Sequence, residues 1–139
     1  MKRWKNISIV KVKADEIDES KLFWKTSVST DLFVSESYAV WIKHRISCYF
    51  LVSVHGVYAN VSLMFNRLLF NAKLTQAICA YIFEQWPSCR KIAIYLLESD
   101  WYGCYLARAA GFSEEVVFRK HYRIDGQKMN CIVFSVVKG

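Results

Sequence analysis

A short polar segment, 98–100 (Glu-Ser-Asp), joins an apolar run to a helix-forming stretch. The run before it, 91–97, is almost continuously apolar, which is typical of a strand covered on both faces. Ser99 or Asp100 can cap the helix that follows through a side-chain oxygen. Backbone N–H groups at the start of a helix have no acceptor within the helix and attract anions. The pattern therefore indicates a place where an anionic cofactor can meet backbone donors.

The charge of the chain points to the same class of partner. Its 139 residues carry a net charge of +7, which favours a phosphorylated cofactor, a nucleic acid or an acidic protein. Nucleic acid is the least favoured, because the sequence offers no stacking motif or groove-reading helix. No segment reaches the roughly 20 apolar residues of a membrane span, and the run Ile7–Val10 is too short for a secretory signal. We therefore expect one cytoplasmic domain, residues 1–139, with no membrane partner.

The cysteines argue against a metal centre and a disulfide framework. They are odd in number and include no C-x-x-C pair. Free cysteine is among the most buried residue types, so we expect buried thiols and no bound metal. The five are Cys48, Cys79, Cys89, Cys104 and Cys131.

The sequence of the first half of the chain predicts one strand, a helical region and a three-stranded meander. Residues 7–13 alternate with the period of a strand, and Asp15–Phe23 places acidic residues near the start of a helix. Ser27–Glu36 is expected to be a loop or a short second helix. From Tyr38 onward the sequence is rich in β-branched and aromatic residues, which predicts three strands. These are Ala39–Ile42, Cys48–Val54 and Val57–Phe65, with a turn at His55-Gly56.

The second half alternates helices and strands. A helix is predicted over Leu74–Trp86 because an apolar stripe runs along it and Pro87 stops it. The strand 91–97 and a second helix follow. The last two strands, Val116–Ile124 and Met129–Val137, flank Asp125-Gly126, a typical two-residue hairpin turn.

The helix after the polar segment carries a family resemblance. The stretch Glu98–Phe112 resembles the segment E-x-N-x-x-(small)-x-x-V-A-E-K-A-G-F of the GNAT N-acetyltransferase superfamily. Residues 113–130 resemble the continuation found in its ribosomal-protein and spermidine N-acetyltransferase branches. Upstream of Arg90 the likeness lies in the order of elements alone. The resemblance implies an α/β (α+β) fold, with a mixed, mostly antiparallel sheet of about six or seven strands flanked by about four helices.

The same resemblance implies acetyl-CoA, or another acyl-CoA, as cosubstrate. In such proteins the pyrophosphate is bound by backbone N–H groups of a loop Q/R-x-x-G-x-G/A that opens a helix. The corresponding loop here is 67–72, in which Phe70 replaces the glycine that lets the backbone approach phosphate. An ordinary loop with Phe70 in the core is the alternative. The cofactor-binding residues implied are Phe65, Arg67, Phe70, Asn71, Ala72, Lys73, Asp100 and Tyr105.

The resemblance also suggests catalytic groups. Acyl transfer to an amine needs a proton acceptor for the ammonium and often a tyrosine that protonates the thiolate. Ala107 stands where many members have that tyrosine, so Tyr102, near the start of the same helix, is the candidate acid. Glu98 is the candidate base. His55 is the alternative, because histidine changes protonation near neutral pH. Packing or surface roles remain the alternative for each.

Two functions follow from these residues. The first is an acyl-CoA-dependent N-acyltransferase that transfers an acetyl group to a primary amine of a small molecule, amino sugar, polyamine or protein. The second is a catalytically degenerate GNAT-fold binding or regulatory module. Phe70 and Ala107 favour the second, whereas Arg67 and Ala72 favour the first. The β-rich C-terminus also offers a sheet edge to a second copy, which would give a homodimer.

Overall fold

The computed structural model describes residues 6–17, 24–25, 36–65, 72–124 and 126–139. These residues form an eight-stranded sheet, two α-helices and one 3₁₀ turn, Ala14–Glu16. The strands are β1 (Ile7–Val12), β2 (Trp24–Lys25), β3 (Glu36–Ile42), β4 (Arg45–His55), β5 (Tyr58–Phe65), β6 (Lys91–Leu97), β7 (Ser113–Ile124) and β8 (Gln127–Val137). The helices are α1 (Ala72–Gln85) and α2 (Trp101–Ala109).

Seven strands of the sheet follow the order β1-β3-β4-β5-β6-β8-β7, and β2 pairs with β5. Every neighbouring pair is antiparallel except β5 and β6, which are parallel. A parallel pair needs a crossover connection, and α1 lies in that connection. The mixed, mostly antiparallel sheet expected from the sequence is confirmed.

The predicted meander and hairpin are also confirmed. Strands β3, β4 and β5 pair in succession, with His55 opposite Tyr58 at the tip of the second turn. Strands β7 and β8 form the terminal hairpin, and Gly126 in its turn has a φ of +79°. A positive φ at this position is what the Asp-Gly signal predicts, because glycine has no Cβ to clash.

The helical content differs from the expectation of about four helices, since the described residues contain two α-helices. The described start of the predicted helix Asp15–Phe23 is a single 3₁₀ turn, and Ile17 is no longer helical. The backbone N–H of Glu16 donates to the carbonyl of Lys13 at 2.9 Å, the three-residue spacing of a 3₁₀ turn, and the Glu16 carboxylate accepts from the backbone N–H of Lys13 at 3.1 Å. Residues 18–23 lie outside the described part of the chain. So does the predicted loop Ser27–Glu36, except for Glu36, which begins β3.

The two faces of the sheet differ in what covers them. One face, called here the helix face, packs against α1 and α2 through alternate strand residues such as Phe50, Val61, Ile94 and Phe134. The opposite face carries the intervening residues of the same strands. On it lie the second, smaller apolar cluster, built on Ala39, Tyr49 and Leu51, and several buried serines.

Candidate functional site

A gap opens in the middle of the sheet, between β5 and β6. The two strands pair over three residues each, and the last pair is Asn60 with Ala93. Further along the same edge of β5, Met64 and Phe65 pair with β2 instead. Over 61–63, no described strand pairs with this edge of β5. The parallel strands therefore separate after Asn60.

Both helices begin at the open end of this gap. Strand β5 ends at Phe65 before α1 begins at Ala72, and β6 ends at Leu97 before α2 begins at Trp101. The carboxyl ends of parallel neighbours lie at the same edge of a sheet, which is where open α/β sheets bind ligands. Two helix N-termini, with the positive ends of their dipoles, therefore face the same end of the gap.

Asp100 caps α2, as the sequence predicted for this residue or Ser99. Its Oδ1 accepts a hydrogen bond from the backbone N–H of Gly103 at 3.0 Å, and the side chain is only 6% exposed. A Cβ on Gly103 would lie 2.5 Å from Asp100 Oδ2. The small residue in the family pattern is thus explained here by the close packing of the cap on the helix backbone.

Glu98, the predicted base, is exposed just beyond the end of β6. Its backbone N–H donates to the carbonyl of Asn130 at 2.9 Å, and the Asn130 side-chain amide donates to its Oε2 at 2.9 Å. Asn130 belongs to β8, the neighbour of β6, so the glutamate is held on the side of the gap away from β5.

The inner side of α2 presents small residues and the outer side presents aromatics. Gly103 and Ala107, one turn apart, are both buried, and Ala107 is 3% exposed within the core beneath the helix. Tyr102, the predicted acid, is half-buried with its ring edge-on to Trp101 at 5.8 Å. Tyr105, a predicted cofactor residue, is 59% exposed. Trp101 and Tyr105 therefore lie on the outer side of the helix, whereas Tyr102 packs against the same core cluster as Ala107.

Burial also controls the thiol of α2. It raises the pKa of Cys104 to about 11, with a further contribution from the Asp100 carboxylate. A thiol with a raised pKa is a poor nucleophile at neutral pH. Cys104 is therefore a packing residue, and all five cysteines are free and buried as predicted.

The start of α1 is described in part. In its first turn Ala72 is half-buried and Lys73 is exposed. The preceding strand, β5, ends at Phe65. Arg67, Phe70 and Asn71 lie outside the described residues. The Gln76 side-chain amide donates to the carbonyl of Ala110 at 3.4 Å, which ties α1 to the end of α2.

Of the predicted site residues, the structure brings Ala72, Lys73, Glu98 and Asp100 to the same end of the sheet. It also shows a polar group that the sequence did not single out, Asn60 at the closed end of the gap. The hairpin turn at His55-Gly56 sets Ser53 opposite Asn60, but it does not reveal that β5 and β6 separate after Asn60, so no local signal singles this residue out.

Two features are absent from the described residues. No group of three or more histidine, cysteine or acidic side chains there could hold a metal ion. None of the helices described above is long and apolar enough to cross a membrane.

No protein-family model and no curated protein matches the chain. Solved structures match it over nearly its whole length. IAA acetyltransferase from Bacillus cereus is similar with a TM-score of 0.71 at 10% identity, over 95% of this chain and 99% of its own. A GNAT family acetyltransferase from Elizabethkingia anophelis with acetyl-CoA bound gives a TM-score of 0.71 at 14% identity, over 97% and 100%.

A spermidine N-acetyltransferase, a chimera of SpeG from Vibrio cholerae and hSSAT, gives a TM-score of 0.76 at 9% identity, over 96% of each chain. The ribosomal L7/L12 acetyltransferase RimL is also similar, with a TM-score of 0.65 at 10% identity, over 76% of this chain and 70% of its own. Identities this low establish the fold. The chain has the GNAT acetyltransferase fold.

Proposed function

From this fold, we propose that the protein is an acyl-CoA-dependent N-acyltransferase that transfers an acetyl group to a primary amine. The acceptor classes we propose are a small molecule, an amino sugar, a polyamine or a protein. The observation that carries the proposal is the separation of β5 from β6 after Asn60, with α1 and α2 both starting at the open end. This geometry leaves an unpaired edge of β5 for an extended thioester arm, beside the positive ends of two helix dipoles.

The charge distribution supports an anionic cosubstrate. Acetyl-CoA carries phosphates, and the chain has a net charge of +7 with the exposed Lys73 in the first turn of α1. A structural neighbour holds acetyl-CoA in the same fold. The residues we propose for the cosubstrate are those of the two helix starts and the strand before them, Phe65, Arg67, Phe70, Asn71, Ala72, Lys73, Asp100 and Tyr105.

The reaction we propose is direct attack of the amine nitrogen on the thioester carbonyl carbon. A C–N bond forms, the C–S bond breaks, and the sulfur leaves as a thiolate. The nitrogen of an ammonium substrate must lose two protons in all, one before attack and one afterwards. Glu98 accepts the proton released after attack, and Tyr102 donates its proton to the thiolate and recovers one from Glu98.

Acetyl-CoA titration by calorimetry, followed by thiol release with a panel of amines, tests the proposal. We expect binding, and release with at least one amine. Glu98→Gln should lower the rate about ten- to a hundredfold, the range for loss of general acid–base help. Glu84→Gln, an exposed glutamate near the end of α1, is the matched control and should leave the rate unchanged.

Phe70→Gly belongs in the same titration, because it restores the glycine that the family loop carries. Tighter binding by this variant would mean that the phenyl ring obstructs the phosphate loop. Absence of binding by both the parent and Phe70→Gly would overturn the proposal.

A binding or regulatory module with the same fold is the second candidate. It is favoured by the burial of Ala107 in the core, where a catalytic tyrosine would need access to the gap. It is also favoured by β2, which pairs with the edge of β5 at Met64 and Phe65. Binding of acetyl-CoA without thiol release for any amine would establish this candidate.

We also propose that the chain forms one domain and acts in the cytoplasm. Its five buried free thiols fit a reducing compartment. We also propose that two copies of the chain associate as a homodimer. The contact would be made by β7, the last strand in the sheet order, on which Val116, Val117 and Phe118 are exposed. Sedimentation of the parent and of Val117→Lys measures it, and a parent that sediments as a monomer contradicts it.

A further inference from the structure

We propose that Asn60 holds the acceptor amine at the closed end of the gap, and that Ser53 and His55 carry its first proton to solvent. The proposal rests on the acyltransfer proposed above and names the part of the same site that receives the amine. It is built on Asn60, Ser53 and His55, which share one face of two neighbouring strands.

Asn60 carries a buried acceptor that no described residue satisfies. Its Oδ1 is inaccessible to solvent and has no hydrogen-bond partner within the described part of the chain. A buried polar atom left in this state costs about 1–3 kcal/mol, and such groups in folded proteins usually have a partner or a function. Asn60 is also the last β5 residue paired with β6. An N–H donor from a ligand in the gap would satisfy it.

The amine must approach Asn60 from the face opposite the helices. On the helix face the strands around the gap present apolar residues packed against the core, such as Val61, Ile92 and Ile94. The opposite face presents Asn60 and, directly across from it on β4, Ser53. Amines avoid surfaces that offer no hydrogen bond, so this polar pair marks the side of entry.

Ser53 connects this position to the surface. Side chains of directly opposed residues have Cβ atoms about 4.5–5.5 Å apart, so Ser53 and Asn60 can contact the same ligand atom. The Ser53 hydroxyl lies 2.7 Å from Nε2 of His55, two residues along the same strand. Ser53 is 1% exposed, whereas His55 is exposed and packs its ring 5.6 Å from that of Tyr58. The pair thus joins a buried oxygen to an exposed imidazole.

The proton balance of the step is simple. The ammonium donates one hydrogen bond to Asn60 Oδ1 and a second to Ser53 Oγ. As the proton moves to Ser53, the serine hydroxyl passes its own proton to His55 Nε2, and the imidazolium releases it to water. The free amine then leaves Asn60, moves along the gap toward Glu98 and attacks the thioester carbonyl, and Glu98 accepts the proton released after attack. The net product is one proton in solution for each amide formed.

The location of His55 separates it from Glu98. Ala93, opposite Asn60, precedes Glu98 by five residues of strand and turn, which is about 16 Å at the rise of a strand. The two groups therefore serve opposite ends of the gap. Histidine is suited to the first step because it exchanges protons near neutral pH.

Among the described residues, few other charged groups lie near His55. On the neighbouring β5 the titratable residue is Tyr58, and Arg90, just before β6, donates its backbone N–H to the carbonyl of Val57 at 2.6 Å. The next strand, β6, places Lys91 opposite Tyr58, where it is paired with Glu115 of β7. On β3, Glu36 points to the helix face, where it accepts a hydrogen bond from Tyr38. Substitutions on the helix face should therefore leave the effect of His55→Gln on acyl transfer unchanged.

The test is the pH dependence of acyl transfer at saturating acetyl-CoA, in the parent, His55→Gln and His44→Gln. His44 is also exposed and lies at the other end of β4, in the β3–β4 turn, so it is the matched control. We expect His55→Gln to lose about tenfold or more at neutral pH and to recover at high pH, where the amine is already deprotonated. His44→Gln should follow the parent at every pH, and acetyl-CoA affinity should be unchanged in both.

Two further variants separate a proton path from a structural role. Ser53→Ala should reproduce the pH shift of His55→Gln although the histidine is intact. Asn60→Leu should raise the KM for the amine more than it lowers kcat, because it removes the acceptor that holds the ammonium. Exposed His55 can be replaced without disturbing the core, so its profile is informative even if Ser53→Ala folds poorly.

Two outcomes overturn the inference. If His55→Gln turns over with the pH profile of the parent, the proton leaves by another route, while the acyltransferase assignment stands. If the parent releases no thiol with any amine at any pH, the acyltransferase assignment fails and the proton path fails with it.

Discussion

Tyr38 is a buried tyrosine whose hydroxyl is tied to a carboxylate. It donates to Glu36 Oε2 at 2.7 Å, and Lys11 Nζ reaches the other carboxylate oxygen at 3.2 Å. Burial, followed by the hydrogen bond to Glu36, raises the pKa of Tyr38. The hydrogen bond from Tyr38 is the largest cause of the lowered pKa of Glu36. One contact therefore holds the proton on the tyrosine and keeps it off the glutamate.

This contact predicts a fall in stability at both ends of the pH range. Above the ordinary tyrosine pKa of 10.0, the unfolded chain releases the Tyr38 proton while the folded chain keeps it, so the free energy of unfolding decreases. Below the ordinary glutamate pKa of 4.5, the unfolded chain takes up a proton that folded Glu36 resists, and stability again decreases. Denaturant unfolding measured from about pH 3 to about pH 11 checks both limbs, because this range extends beyond both ordinary pKa values.

Tyr38→Phe tests separately the decrease in the free energy of unfolding at alkaline pH. It should cost about 1 kcal/mol at neutral pH through the lost hydrogen bond and should flatten the decline above the ordinary tyrosine pKa. Tyr105→Phe is the control, because Tyr105 is exposed on α2 and should leave both limbs as in the parent. An alkaline decline that is equally steep in Tyr38→Phe would show that another group, such as Tyr81, whose pKa is also raised, controls it.

At the level of elements, α2 depends on its N-terminal cap. Asp100→Ala should destabilise the fold by about 1 kcal/mol, since it removes the acceptor for the Gly103 N–H. Asp100→Asn keeps an acceptor and should cost less, while it removes a negative charge from the end of the gap where phosphate is proposed to bind. We therefore expect tighter acetyl-CoA binding in Asp100→Asn, measured by calorimetry alongside thermal unfolding.

Gly103→Ala is the companion to the cap variants. Alanine normally favours a helix interior by about 1 kcal/mol over glycine, but here its Cβ would meet the buried Asp100 carboxylate. We expect the loss of the cap to cancel that gain or exceed it. A clear rise in melting temperature for Gly103→Ala would contradict the packing of the cap described here.

Strong local patterns explain which elements could be predicted from the sequence. Strand β6 was predicted at its exact bounds because its apolar run ends abruptly at the polar segment 98–100. Helix α1 was predicted within two residues, because Leu74, Ile78 and Ile82 form its buried stripe and Pro87 follows it. Strand β2 could not be predicted, because two residues carry no periodic signal and their pairing with β5 is set by the tertiary fold.

The residues of the candidate site also differ in whether a local pattern identifies them. Asp100 could be identified as a cap because the signal is local, a polar side chain one residue before a helix. Asn60 could not be singled out, since its importance comes from the point where β5 and β6 separate, and β6 lies some thirty residues away in the chain. A long-range parallel pairing leaves no mark on either strand that a single sequence reveals.

For the molecule as a whole, the net charge of +7 should govern how fast and how tightly the phosphates of acetyl-CoA are attracted. Raising the salt from about 0.05 M to about 0.3 M shortens the screening length to well under 10 Å, so we expect the Kd for acetyl-CoA to rise several-fold. S-acetylpantetheine has the same thioester arm and no phosphate, and its Kd should stay nearly constant.

The double variant Lys43→Gln/Arg45→Gln distinguishes the effect of the net charge on acetyl-CoA binding from the effect of contacts in the gap. Both residues are exposed at the β3–β4 turn, so the double variant lowers the net charge by two without touching either helix start. Because a long-range field acts through the total charge, association should slow measurably at low salt and should match the parent at high salt. Stopped-flow binding checks this, and an identical salt response for acetyl-CoA and S-acetylpantetheine would mean that the positive charge does not act on the cosubstrate.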